Sequence, residues 1–212
     1  MGKNEPPKTL KNLLMRMKQF ISKRNIGKAG NLVFVGLLLL LLFSPDAKSW
    51  VLKQLISVGL FRAEIKKEAL NGKVQAANVS FDFRTENGDV SSVAGLKGKV
   101  VFINFWATWC PPCRAEMPSL NDLYNQLKDD KRFVFLFINE DEDTAKAKSY
   151  LQNNHYTMPL LTKAGTVPAE IYSGTLPTTV VLDKEGKVVL KHEGIADYNT
   201  TTFINQLKGL LE

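Results

Sequence analysis

The chain has 212 residues, 44% of them apolar, only two cysteines and a formal net charge of +7, which allows one domain of ordinary size plus appendages. The charge suggests a nucleic-acid binder until it is located. Residues 1–31 hold eight Lys/Arg against one Glu, and residues 32–212 hold 20 of each sign, so the folded part is neutral and nucleic-acid binding by it is excluded as a leading idea.

Directly after the basic stretch, Leu32-Val33-Phe34-Val35-Gly36, six leucines and Phe43 form twelve unbroken apolar residues. A cationic stretch followed by an apolar run obeys the positive-inside rule, with the N-terminus in the cytosol. A buried core helix would fit the length but not the charge step. Twelve residues are nearer a signal-peptide core than the roughly 20 that span a bilayer. Yet a basic stretch of residues 1–31 is long for a signal peptide, and the cleavage candidates are poor. Pro45 spoils cutting after Ser44 or Ala47, which leaves only Ala47-Lys48-Ser49. Extension through Ser44–Leu52 completes a kinked or thinning span, at some cost from Asp46 and Lys48. The expectation is therefore a retained signal-anchor over residues 32–52 rather than cleavage near Ser49. It would pass once through the inner (cytoplasmic) membrane, with residues 1–31 cytosolic and the rest extracytoplasmic or periplasmic, in an oxidising compartment.

Residues 53–75 read as an amphipathic juxtamembrane helix and linker. Positions 51, 52, 55, 56, 60 and 61 recur at helical spacing, so the helix could lie on the membrane with Trp50 at the interface or pack on the domain. Asn71-Gly72 ends it, and the globular domain, residues 76–212, begins near Ala76. Phe81-Asp82-Phe83 and Asp89-Val90-Ser91 bracket Thr85–Gly88 as a hairpin. Val100–Phe105 is almost wholly apolar, as in a central strand covered on both faces. A helix opens at the double proline Pro111-Pro112, whose missing amide donors cost nothing in a first turn. It runs on Ala115, Met117, Leu120, Leu123, Tyr124 and Leu127 to about Lys128, with a kink expected at Pro118.

Phe133–Ile138 is a second buried strand, so strand, helix and strand make a parallel crossover. The acidic run Glu140–Asp143 lacks the ligand spacing of a calcium loop, and favourable charge at the N-terminus of helix Thr144–Asn153 explains it. Thr178–Leu182 and Lys187–Lys191 form a hairpin around Asp183–Gly186, and a closing helix uses Phe203, Ile204, Leu207, Leu210 and Leu211.

The two cysteines stand in Trp109-Cys110-Pro111-Pro112-Cys113. A structural disulfide around so small a loop would stabilise little. A metal site would need two further ligands, and His155 and His192 are not spaced as a pair. Dithiol–disulfide cycling is the remaining chemistry. Cys110, just before the first helical turn, is expected to be partly exposed and stabilised as a thiolate by unpaired amides; Cys113, one turn in, should be more buried. Trp106 reads as core.

The run from Val101 to Pro118, with Leu176-Pro177-Thr178-Thr179 downstream, resembles the thioredoxin superfamily, and within it the membrane-tethered TlpA/ResA-like branch. The likeness covers about residues 78–212. It implies an α/β thioredoxin-like fold with a central mixed sheet flanked by helices, preceded here by the N-terminal membrane segment. It also implies a thiol–disulfide oxidoreductase with no cofactor or metal beyond the redox-active Cys110–Cys113 pair.

By the same resemblance Cys110 is the nucleophile and Cys113 the resolving thiol. Trp109 shields the dithiol, and Pro177 is the cis-proline that leaves Leu176 to meet a substrate chain, in the manner of strand addition. Asn104 replaces the buried aspartate of cytosolic thioredoxins and cannot accept a proton. Glu116 matches the glutamate of the branch and is a candidate proton relay; its bland alternative is a surface residue paired with Arg114 or a lysine. The implied partners are exported thiol or disulfide proteins, apocytochrome c among them, and a membrane electron donor, because the chain has no nucleotide-binding glycine pattern. An extracytoplasmic dithiol oxidase is the alternative within the class. A thiol peroxidase is disfavoured because Thr108 stands two residues before Cys110 and neither Val101 nor Ile103 is proline. A non-catalytic binding module is disfavoured by the intact cysteine pair, Pro177 and Glu116.

Overall fold

The computed structural model describes residues 30–65 and 80–212. The basic segment up to residue 29, the Asn71-Gly72 stop and the domain start at Ala76 lie outside the described residues.

Helix α1 is Gly30–Phe43, the leucine run, and its side chains are exposed, from Leu41 at 39% to Phe43 at 79%. At 1.5 Å per residue it reaches about 21 Å, short of a ~30 Å hydrocarbon core. No single described helix is long and apolar enough to cross a membrane; α1 and the next helix satisfy length and composition only together, across a break. The break falls at Ser44 because Pro45 disfavours helical backbone in the residue before it and has no amide to continue the ladder. Helix α2, Pro45–Ser57, thus crosses the boundary drawn at residue 52. It packs in the compact unit formed by Pro45–Glu212.

That unit is built on one seven-stranded mixed sheet in the order β2-β1-β5-β4-β3-β6-β7. Its strands are β1 Asp82–Arg84, β2 Val90–Ser92, β3 Val100–Trp106, β4 Phe133–Asn139, β5 Leu161–Lys163, β6 Thr178–Leu182 and β7 Val188–Glu193. The helices α3 Pro111–Leu127, α4 Thr144–Asn153 and α5 Thr201–Gly209 complete it. Strands β3 and β4 pair in parallel from Val100↔Phe133 to Trp106↔Asn139, while β6 pairs antiparallel with β3 from Phe105↔Thr178 to Val101↔Leu182. The hairpin of β1 and β2 turns through Gly88, whose φ of 90° suits a residue without a Cβ. Helix α3 is continuous across Pro118.

Every residue of β3 is buried, and its two faces serve different interiors. Val101, Ile103 and Phe105 join Phe81, Ile138 and Val180 in one apolar cluster. Val100, Phe102 and Trp106 join Met117, Leu120, Leu123 and Phe203 in the other. Phe102 is the hub of the second, with ring centroids 5.4 Å from Tyr198, 5.6 Å from Phe135 and 6.3 Å from Phe203. Strand periodicity puts Asn104 on this same face, under α3.

Candidate active site

Strand β3 delivers the chain through Ala107-Thr108-Trp109 to Cys110, which is the N-cap of α3. Cys110 Sγ accepts the Cys113 amide at 3.2 Å, and its carbonyl accepts the Arg114 amide at 3.1 Å, so the first helical turn begins at the cysteine. The two sulfurs are joined, with a Cα–Cα distance of 5.3 Å. Cys110 is only 4% exposed and Cys113 0%. The partly exposed Cys110 expected from sequence is not what the disulfide form presents, because its sulfur is turned onto Cys113 and that residue's amide. Position at the N-cap, rather than exposure, therefore separates the two thiols. Trp109, by contrast, is 62% exposed beside them, and Trp106 is core.

Glu116 lies one turn past Cys113 and is wholly buried. Asn104 Nδ2 donates to its Oε1 at 2.8 Å and to Thr179 Oγ1 at 2.9 Å, and the Ala196 amide donates to Oε2 at 3.3 Å. Burial pushes the carboxyl up to about 8, against the Asn104 and Ala196 hydrogen bonds, which lower it. The surface-residue alternative is excluded, since Arg114 pairs with Asp46 instead and stacks on Tyr150 at 5.3 Å. Tyr198 is buried nearby, its hydroxyl held well above its ordinary value by burial and then by Glu116. Ser119 links the two, its hydroxyl donating to the Glu116 carbonyl at 2.9 Å and accepting the Tyr198 amide at 3.4 Å.

The Leu176-Pro177 peptide is cis. Pro177 directly precedes β6, whose first residue, Thr178, pairs with Phe105 near the end of β3. It therefore stands at the sheet end from which the loop to Cys110 departs. Its carbonyl accepts the Gly194 amide at 2.8 Å, and Leu176 packs partly buried against both apolar clusters.

Asp141 is hidden in the acidic run. Its Oδ1 accepts the Thr108 hydroxyl at 2.7 Å and its Oδ2 the Thr108 amide at 2.9 Å, so it clamps the loop that leads to Cys110. Asn139 Nδ2 donates to the same carboxylate at 2.6 Å. Asp143 stands at the N-terminus of α4 as expected of the run, and it caps the helix by accepting the Ala145 amide at 3.0 Å. Asp141 and Thr108 are 33 positions apart, and no local spacing announces the pair. Among the described residues no group of three or more His, Cys, Asp or Glu is arranged to hold a metal ion.

Residues 70–205 match the Redoxin family. A thiol-disulfide oxidoreductase ResA of Bacillus cereus is 42% identical over 97 residues, which is 45% of this chain and 56% of that protein, little more than half its length. The ResA of Bacillus thuringiensis (strain Al Hakam) is 33% identical over 163 residues, 76% of this chain and 87% of that one. Among solved structures, a thiol:disulfide interchange protein from Chlorobium tepidum TLS aligns at 29% identity and a TM-score of 0.51, covering 63% of this chain and 94% of that one. A DsbF homologue from Corynebacterium diphtheriae aligns at 26% and 0.53, covering 64% and 89%. The chain belongs to the Redoxin family, in the TlpA/ResA-like part of the thioredoxin superfamily, and is an enzyme of the thiol–disulfide oxidoreductase type built on the close pair Cys110–Cys113.

Proposed function

We propose that this protein is a membrane-tethered reductant of disulfides in exported proteins, with the oxidised cysteine pair of apocytochrome c in the substrate class. The observation that carries the reading is the Glu116 carboxyl, buried one turn below the dithiol and pushed up to about 8. Strong dithiol oxidants owe their potential to a reduced form with a stabilised thiolate. Here the inner sulfur of Cys113 is fully buried, where a thiolate is desolvated. That works against the stabilised reduced form of an oxidant and opposes the gain that the helix N-terminus gives Cys110.

The Cys110 thiolate attacks one sulfur of the substrate disulfide, a mixed disulfide forms, and the departing substrate thiolate takes up a proton. Cys113 then loses its proton, attacks Cys110 Sγ and releases the second substrate thiol, leaving Cys110–Cys113 oxidised. Two electrons and two protons pass to the substrate. Glu116 is the group that exchanges protons with the inner thiol. Trp109 and the Leu176-Pro177 edge flank the attacked sulfur and receive the substrate chain. A membrane dithiol partner must return the two electrons. Tethering is through the leucine helix, with the redox domain extracytoplasmic; the packing of α2 on the domain favours retention of the segment over its removal near Ser49.

Two measurements test this. Equilibration with glutathione should give a potential well below the about −120 mV of strong oxidants, and a value near that figure would reverse the direction. In the native membrane, Cys113→Ser should accumulate mixed disulfides through Cys110 and Cys110→Ser should accumulate few; equal trapping by both would overturn the assigned roles.

A further inference from the structure

Residues 45–65 touch the redox centre at two places. At the first, buried Ser49 sets its hydroxyl 3.0 Å from the Pro111 carbonyl and 2.9 Å from that of Pro45, while Asp46 pairs with Arg114. Pro111 stands between the two cysteines and Arg114 directly follows the second, on the first turn of α3. At the second, the chain forms a short parallel bridge between Arg62 and Asp197: the Ala63 amide donates to the Asp197 carbonyl at 3.0 Å and the Asp197 amide to the Phe61 carbonyl. Gln206 of α5 satisfies both backbone groups of Ile65, at 2.9 and 3.2 Å, and Ala63 and Ile65 are buried. The residue before Asp197 is Ala196, whose amide donates to Glu116 Oε2, and the residue after it is Tyr198, whose amide donates to Ser119. The loop that holds Glu116 is thus itself held by residues 61–65.

We propose that residues 45–65 are a positioning element of the redox centre, with Ala63 and Gln206 keeping the Ala196 amide aimed at the Glu116 carboxyl. The proposal rests on the reading that Glu116 exchanges protons with the dithiol. Its physical basis is that a donor on an untethered loop must be ordered before it can stabilise a carboxylate, whereas one locked by a backbone bridge is ordered already. The groups facing Glu116 are Asn104 from β3, Thr179 from β6 through Asn104, Tyr198 from the same loop and the cysteine pair on its own helix. In the oxidised chain the cysteines do not titrate and Tyr198 ionises far higher, so a carboxyl transition near 8 belongs to Glu116.

The test follows that transition in the oxidised full-length chain in detergent, by infrared difference against Glu116→Gln. Gln206→Ala and Ala63→Pro should each move the midpoint upward by about half to one pH unit, a part of the roughly one to two units that complete loss of one hydrogen bond to a charged group would give. The pH profile of disulfide exchange should move with it. A residue that only supported the fold would lower the unfolding temperature and leave the midpoint where it was. If Ala63→Pro fails to fold, Gln206→Ala decides. An unmoved midpoint in Gln206→Ala overturns the proposal. An exchange profile indifferent to Glu116→Gln would sink the relay reading alone, since an upward carboxyl shift in Gln206→Ala would still establish the positioning.

Discussion

The two faces of β3 begin from the same strand and end as different materials. Val101, Ile103 and Phe105 face an interior made of apolar side chains, the smaller of the domain's two clusters. On the other face Asn104 stands between Phe102 and Trp106 and opens a polar track through Glu116, Thr179 and the Ala196 amide, all in the dry interior. A buried polar group must be matched by hydrogen bonds, and a buried charge costs more still. The contrast teaches that the redox face accepts a stability cost where the other face has none, and that this cost depends on pH.

Glu116→Gln should break the contrast most strongly. Unfolded, the carboxyl titrates at its ordinary 4.5, and folded at about 8. Between those values the folded chain keeps a proton that the unfolded chain has released. The stability of the neutral buried acid is therefore full below pH 4.5 and is lost as pH rises to about 8. The glutamine variant lacks this loss, so relative to the parent it should be more stable at pH 9 than at pH 5 by roughly 3–5 kcal/mol. Urea unfolding of both oxidised proteins at the two pH values measures it. Parallel behaviour of the pair would mean that Glu116 ionises freely in the folded state.

Ile103→Ala probes the opposite face. Ile103 is fully buried among apolar neighbours, and its truncation should cost about 2–4 kcal/mol at every pH, from lost burial and the cavity left behind. Exchange per folded molecule should stay within about twofold. A pH-dependent loss would show that the two faces are coupled through the strand rather than separate.

The contrast also marks how far the sequence can be read. The unbroken apolar runs of β3 and β4 and the cysteine pair after a strand carry the central crossover and the cap at Cys110, whereas the cis Pro177 is legible only through the family resemblance. Asn104 and Glu116 both stand out singly, but nothing in a separation of 12 residues says that one donates to the other. The partner Ala196 contributes only a backbone amide, which no side-chain motif can announce. Strand β5, Leu161–Lys163, escapes a reading by pattern because three residues are too few to display alternation. Helix α2 looks equally suited to a membrane surface and to the domain, since what places it is the contact of Ser49 with Pro111, 62 positions away.

The smallest expected effect concerns the loop that joins the two faces to the dithiol. Thr108 gives Asp141 two donors, its hydroxyl and its amide. Thr108→Val keeps the shape and the amide but deletes the hydroxyl, which should cost about 1–2 kcal/mol for one hydrogen bond to a carboxylate. Thr108→Ser keeps both donors and should behave nearly as the parent. Because the amide still ties the loop to Asp141, exchange in the valine variant should slow less than about threefold, with an unchanged pH profile. If Thr108→Val instead slowed exchange as much as Glu116→Gln does, loop geometry rather than the buried carboxyl would govern the reaction. The division of β3 into a face for stability and a face for chemistry would then have to be redrawn around Asp141.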